Sequence, residues 1–333
     1  MRYFEPSHLD RAIQRLQQNT SQLEILYSKV IPIDRCTSDQ GSDNRPPVVR
    51  VTVLDSSFNP PTRAHLALAL LSTPDISDTT LLLLSVRNAD KQLKTGDAPY
   101  TERLEMLAHF ADDLARSQIE ANWPFMPKCV HENPTSSSDQ SLAKSLWPVI
   151  LTAAIDEPTF VGKSTVLHHA LPPYWPSLVR DWDGEHRHEA FPRFQFTFLM
   201  GWDTITRFFD PKFYPSPEGM SKSLEKFFFV EKSSILCARR PKASFRRPGD
   251  VGTEPADEQE ESIFLQSGIV KPYVDAGLIK MINIGASEGL ISSTRLRESL
   301  KGTVNTEWVS LTTPAIVSYI QEQQVYSAPW TSG

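Results

Sequence analysis

The stretch from Val48 to Leu71, VVRVTVLDSSFNPPTRAHLALALL, constrains this chain more than any other. Val48–Leu54 is an apolar, β-branched run of the kind that fills a parallel strand covered on both faces. A polar turn with two prolines follows (Asp55–Thr62), and Ala64–Leu71 opens a run of good helix formers. A strand that turns directly into a helix leaves unpaired N–H groups and the positive end of the helix dipole beside the strand's end, which draws phosphate. His65 falls in that first helical turn, where an imidazole reaches the same anion. Taken alone, the pattern fits an ordinary strand–turn–helix with a surface histidine equally well.

The whole chain narrows the choice. Its 333 residues are enough for one large or two modest domains. A net charge of −6 disfavours nucleic acid as a main partner, though a small phosphate site needs only a few local cations. Cys36, Cys129 and Cys237 lie too far apart for a disulfide framework or a metal site, so reduced thiols and a cytoplasmic or nuclear location are the default expectation. No apolar run approaches the roughly 20 residues of a membrane span, and MRYFEPSHLD has no signal-peptide core.

In chain order, residues 7–30 read as helical, with Leu9, Ile13, Leu16, Leu23, Leu26, Tyr27 and Val30 at helical spacing. A turn-rich linker follows, so residues 1–47 are expected to be a helical extension and residues 48–333 the main domain. Thr80–Val86, Pro148–Ile155, Phe194–Met200, Ser233–Arg239 and Leu278–Ile284 read as further strands. Helices are expected from Tyr100 and over Val161–Leu171 and Ser262–Ala276. Inserted loops are expected near 117–147, 172–193 and 240–262. Alternating strands and helices predict an α/β fold, a Rossmann-like parallel sheet flanked by helices, with ligands beyond the C-terminal strand ends. His168 and His169 are adjacent and therefore point to different faces of a helix, a structural pair rather than a metal pair. DWDGEHRHE (Asp181–Glu189) reads as a solvated loop, because metal ligands need a firm scaffold.

A second informative segment is ISSTRLRESL, Ile291–Leu300. Ser292 and Ser293 are good N-cap residues. Thr294 and Arg297 share one helix face, and Leu296 and Leu300 anchor another. Hydroxyls, free N–H groups and one guanidinium offered to a single anion suit the β- and γ-phosphates of a nucleotide.

These residues carry a resemblance. SFNPPTRAH (Ser57–His65) is similar to the first signature of the HIGH superfamily of nucleotidylyltransferases, G-S-F-x-P-x-[HT]-x-x-H. Ile291–Arg297 matches the I-S-S-T-x-[IL]-R signature of eukaryotic-type nicotinamide mononucleotide adenylyltransferases. Gly201-Trp202-Asp203 resembles the family's G-x-D. Ser56 and Ala64 stand where the wider pattern has glycine. GMSKSLEK (Gly219–Lys226) partly matches the KMSKS loop of class I aminoacyl-tRNA synthetases, but its leading lysine is replaced by Gly219 and the chain is acidic.

The resemblance implies a nucleotidylyltransferase fold and adenylyl transfer from ATP to nicotinamide mononucleotide, giving NAD and pyrophosphate. It implies His65 at the α-phosphate, with Thr62 supporting the loop and Ser57 and Phe58 in the ATP-binding turn. Lys91, Ser292, Ser293, Thr294 and Arg297 would hold the β- and γ-phosphates, with Arg103 as a further family match. Gly201 and Asp203 would contact the nucleotide, and Trp202, Phe213 or Tyr214 would stack on nicotinamide. Mg²⁺ would be bound through ATP phosphates, so no protein metal cage is needed. Oligomeric state is left open. The alternatives are a nucleotidylyltransferase for another phosphorylated acceptor, and a nucleotide-binding protein that has lost catalysis.

Overall fold

The computed structural model describes residues 1–31, 48–72, 77–87, 96–121, 149–175, 193–239, 256–301 and 306–326. Seven strands form one sheet: β1 Leu23–Val30, β2 Val48–Ser56, β3 Thr79–Ser85, β4 Val149–Ile155, β5 Arg193–Gly201, β6 Ser234–Ala238 and β7 Ile279–Ile282. Their order is β1-β4-β3-β2-β5-β6-β7. All neighbours pair in parallel except β1, which runs antiparallel to β4. Without β1 this is the doubly wound order, which reverses between β2 and β5. The crevice for a ligand therefore opens where β2 ends at Ser56 and β5 ends at Gly201.

The helices are α1 Pro6–Gln17, α2 Arg63–Ala69, α3 Tyr100–Glu120, α4 Phe160–Ala170, α5 Trp202–Phe208, α6 Pro217–Glu225, α7 Ala256–Gln266, α8 Lys271–Asp275, α9 Ser293–Leu300, α10 Glu307–Leu311 and α11 Pro314–Gln323. Side chains alternate across each strand, so the sheet carries two cores. On one face Leu54, Leu82, Leu84, Ile150 and Leu199 pack with residues of α1, α3 and α11. On the other, Val51, Val53, Leu83, Phe196 and Phe198 pack with residues of α4, α5 and α6. Among the described residues no helix is long and apolar enough to cross a membrane.

The reading of residues 7–30 as one helical stretch is corrected. Helix α1 stops at Gln17, and Asn19 takes a left-handed φ of 54°. Its N–H bonds back to the Leu16 carbonyl, and that of Thr20 to the Arg15 carbonyl, which ends the helix. Leu23–Val30 then forms β1, whose backbone groups pair with β4 along its length. Leu23, Leu26 and Tyr27 fit helical spacing by coincidence; the aromatic and β-branched content of this segment fits a pleated edge strand as well. Leu23–Val30 is thus built into the sheet, and Arg15 on α1 clamps Glu24 on β1 through two hydrogen bonds of 2.8 and 2.7 Å. Leu16 is fully buried in the core under α3. Leu16→Ala is expected to cost about 2–5 kcal/mol, read as a lowered urea midpoint with an unchanged slope.

Candidate active site

The turn after β2 is held from four directions. Asn59 donates from Nδ2 to Asp97 Oδ1 at 2.6 Å. Its Oδ1 accepts from the Ala98 N–H at 3.0 Å and from the Tyr326 hydroxyl at 2.8 Å. Its carbonyl takes a short hydrogen bond from Arg297 Nη1. Next to it, the Pro60 carbonyl accepts from Ser293 Oγ at 2.8 Å, and the Pro61 carbonyl accepts from Thr312 Oγ1 at 2.7 Å. The two signature segments, 233 residues apart at Ser293 and Pro60, are thus one physical unit. Phe58 pays for this tight path with a φ of 42°, a left-handed backbone that bulky side chains avoid.

His65 sits inside this frame. The Thr62 N–H donates to its Nδ1 at 3.0 Å, and Thr62 Oγ1 lies 2.8 Å from the same nitrogen. The first of these contacts, with the His65 backbone N–H donating to the Thr62 side chain, makes the reciprocal cap of α2. With Nδ1 accepting, the ring proton is on Nε2, which lies 2.9 Å from Ser56 Oγ. Burial pushes the His65 pKa down to about 4. The ring is therefore neutral at pH 7 and offers an Nε2–H rather than a positive charge. Because its folded pKa lies below the unfolded value of 6.5, the unfolded chain binds the extra proton. Stability from this group is complete above about pH 6.5 and is lost as pH falls toward 4. His65→Asn is expected to flatten the acid limb of a stability-versus-pH curve between those values, as read by denaturant titration.

Two guanidiniums flank the same turn. Arg297 Nη2 lies 3.6 Å from Asp97 Oδ1, and Arg103 Nη2 lies 3.7 Å from Asp97 Oδ2. Arg103 also donates to the carbonyls of Ala98 at 2.8 Å and Ser57 at 3.4 Å. Burial, the main cause, lowers the Arg103 pKa from its ordinary value, and Arg297 adds to the effect. Arg103 Nη2 has no hydrogen-bond partner among the described residues. Two cations sharing one carboxylate leave room for a further anion.

Beside this frame lies a cavity of about 350 Å³, lined at the strand ends by Asp55, Ser56, Ser57 and Ser85. Helix α4 contributes Phe160 to Lys163, and the far wall is Thr204, Arg207, Phe208, Phe213 and Tyr214. Ser56 joins the cavity to His65. At its floor, Lys163 Nζ pairs with Asp55 Oδ2 at 2.5 Å, the two side chains being 4% and 8% exposed. Asp55 Oδ1 accepts from Ser85 Oγ at 3.1 Å. A further 4.7 Å separates the Lys163 ammonium from the centre of the Phe160 ring.

The other expected residues fall in different places. Ser57 lines the cavity, whereas Phe58 and Thr62 are fully buried, Phe58 against the His65 ring at 5.1 Å. Ser292 is the N-cap of α9, accepting from the Arg295 N–H at 3.1 Å, and Thr294 is exposed. Gly201 ends β5 with open space where a Cβ would project, so a ligand can approach its backbone. Asp203 is exposed on the first turn of α5, where its carbonyl accepts from Arg207 Nε at 2.9 Å. Tyr214 lines the cavity, with its hydroxyl bonded to the Phe208 carbonyl at 2.6 Å. Trp202 does not line it. Its side chain is 7% exposed and packs edge-on to Phe264 at 5.2 Å, because the first residue of α5 turns into the core. Lys91 and the Asp181–Glu189 run lie outside the described residues.

His168 bonds the Ser164 carbonyl at 2.9 Å and packs edge-on to Phe196, a core role. Among the described residues no group of three or more His, Cys, Asp or Glu side chains is set to hold a metal ion. Gly219–Ser223 lies in α6, with Met220 buried, so the KMSKS-like run is part of a packed helix.

Asn59, Asp55 and Lys163 are the residues that reading the sequence did not single out. Asp55 carried a signal, a charge closing an otherwise apolar run. Nothing local marked Lys163 as buried or Asn59 as a hub.

No protein-family model matches the chain. Among solved structures, a Plasmodium falciparum nicotinic acid mononucleotide adenylyltransferase complexed with NaAD superposes on 84% of this chain and 98% of its own, with 17% identity and a TM-score of 0.40. The same protein complexed with APC gives 16% identity and a TM-score of 0.39. Overlaps this loose add nothing to the sheet order. A Schizosaccharomyces pombe protein, provisionally named a nicotinamide mononucleotide adenylyltransferase, is 28% identical over 253 residues, covering 75% of each chain. The chain is thus similar in sequence to a nicotinamide mononucleotide adenylyltransferase, and the fold joins the two signature segments that carry the resemblance at a single turn.

Proposed function

We propose that the chain transfers the adenylyl group of ATP to nicotinamide mononucleotide, releasing pyrophosphate and forming NAD. The observation that carries this reading is the junction of the two signature segments at Asn59–Pro60, beside a cavity at the sheet's switch point. The acceptor phosphate is already ionised at neutral pH, so the reaction needs no general base. Positioning and charge stabilisation suffice for in-line attack on the α-phosphate. His65, neutral and held by Thr62, supplies its Nε2–H to the α-phosphate as charge builds there. Ser56 Oγ now occupies that hydrogen and has to rotate aside. Arg297 and Arg103 supply positive charge to the departing pyrophosphate, with Asp97 holding them apart beforehand. ATP enters as its magnesium complex, the ion bound mainly by phosphate oxygens.

The test is purified protein with ATP, Mg²⁺ and a panel of phosphorylated acceptors, followed by pyrophosphate release. Release with nicotinamide mononucleotide supports the proposal. Release only with a different acceptor moves the chain to another branch of the same chemistry. The Ser56–His65 bond gives one specific reason for a second reading, nucleotide binding without transfer. Tight ATP binding with no release from any acceptor favours that reading. Arg297→Ala is expected to slow release by about 10²-fold, with a smaller loss of ATP affinity, measured by steady-state kinetics and by nucleotide binding.

A further inference from the structure

We propose that Asp97 is a positioning residue for product release: a pinned negative charge, set at a distance from Arg103 and Arg297, that weakens their hold on pyrophosphate. The inference rests on the proposed adenylyl transfer, because it takes the two guanidiniums to face the departing pyrophosphate. Both arginines are already fixed by the turn's own carbonyls. Arg297 Nη1 bonds that of Asn59, and Arg103 bonds those of Ala98 at 2.8 Å and Ser57 at 3.4 Å. Each then turns its Nη2 toward Asp97 without closing on it, at 3.6 Å for Arg297 and 3.7 Å for Arg103. An ion pair built to hold a fold together closes to about 2.7–2.9 Å. Arg103 Nη2 is buried and has no hydrogen-bond partner among the described residues, so it keeps a donor for an anion that comes and goes.

The close hydrogen bond to Asp97 comes instead from a neutral group, the Asn59 amide, at 2.6 Å. That amide cannot turn over, because its Oδ1 already accepts from the Ala98 N–H and from the Tyr326 hydroxyl. The chain passes through left-handed backbone at Gln324 and again at Tyr326, φ 51° and 73°, on its way to this contact. The carboxylate is therefore held in place and stays there when phosphate arrives. Two guanidiniums acting alone in so enclosed a place would bind a diphosphate tightly and release it slowly. A carboxylate a few ångströms away cancels part of their field and repels the product's own charge. ATP bears the same penalty but keeps the contacts of its base and sugar. Pyrophosphate has phosphate contacts alone, so the penalty suffices to free it.

The experiment is calorimetric titration of the full chain with inorganic pyrophosphate in the presence of Mg²⁺, comparing wild type with Asp97→Asn. The variant keeps the size of the side chain and the Oδ1 that accepts from Asn59, and loses the charge. It is expected to bind pyrophosphate about tenfold tighter, equivalent to about 1.4 kcal/mol. A carboxylate that merely braces the turn predicts the opposite sign, since a loosened turn misplaces both arginines. Weaker or unchanged binding by the variant therefore overturns the inference, as does no binding of pyrophosphate by either protein. If Asp97→Asn does not fold, Asp97→Ser is titrated in its place with the same expected direction. Failure of both to fold overturns the inference, because the carboxylate would then be holding the turn together. Transfer from ATP is assayed separately. Active wild type with an unchanged pyrophosphate affinity in the variant leaves adenylyl transfer standing without this role for Asp97. Tighter binding by the variant with no transfer to any acceptor does the reverse.

Discussion

Replacing His65 with alanine is expected to slow pyrophosphate release by about 10²- to 10³-fold while the protein stays folded. The ring is neutral and clamped at Nδ1 by Thr62, so one N–H of fixed direction is what it can offer a developing negative charge. In the proposed role that N–H strengthens its interaction in the transition state, so the expected loss belongs in kcat more than in KM. The fold loses half of the α2 cap, a cost of about 1 kcal/mol. A rate within about threefold of wild type, on a protein shown folded by circular dichroism, removes His65 from the chemistry. Because the folded ring titrates near pH 4, activity between pH 6 and 8 is expected not to follow its ionisation.

The second large effect is on stability. Lys163→Met leaves Asp55 buried with the Ser85 hydroxyl as its remaining hydrogen-bond partner among the described residues. Breaking one side of a buried ion pair typically costs about 3–5 kcal/mol, so the denaturant midpoint should fall sharply. Replacing both partners with apolar groups, Asp55→Leu with Lys163→Met, removes the stranded charge and is expected to recover most of that loss. Equal stability of the single variant and wild type would mean that the pair contributes little to the fold.

Much of this molecule was legible in its sequence. The strands β2 to β7 lie where apolar runs predicted them; for β3 and β4, buried on both faces, almost no other composition is open. Edge strand β1 was not legible, because eight residues with apolar groups at mixed spacing satisfy either period, and pairing with β4 decided between them. Trp202 was misplaced for a related reason: adjacency to a site in sequence does not tell which way a side chain turns on the first residue of a helix.

What the sequence determined by itself was the type of fold and the chemistry on offer: a parallel sheet, a histidine in a helix's first turn, and a serine-rich helix start with an arginine one turn on. Those are local properties, written in runs of fewer than a dozen residues. Only the tertiary structure decided how they combine. It put Ser293 and Arg297 on the carbonyls of Pro60 and Asn59, and made Asn59 the hub of the turn. It also turned Ser56 toward His65 and buried Lys163 against Asp55, 108 residues away. Such pairings depend on the order in which strands join a sheet. That order is a property of the whole chain's packing and is absent from any single segment.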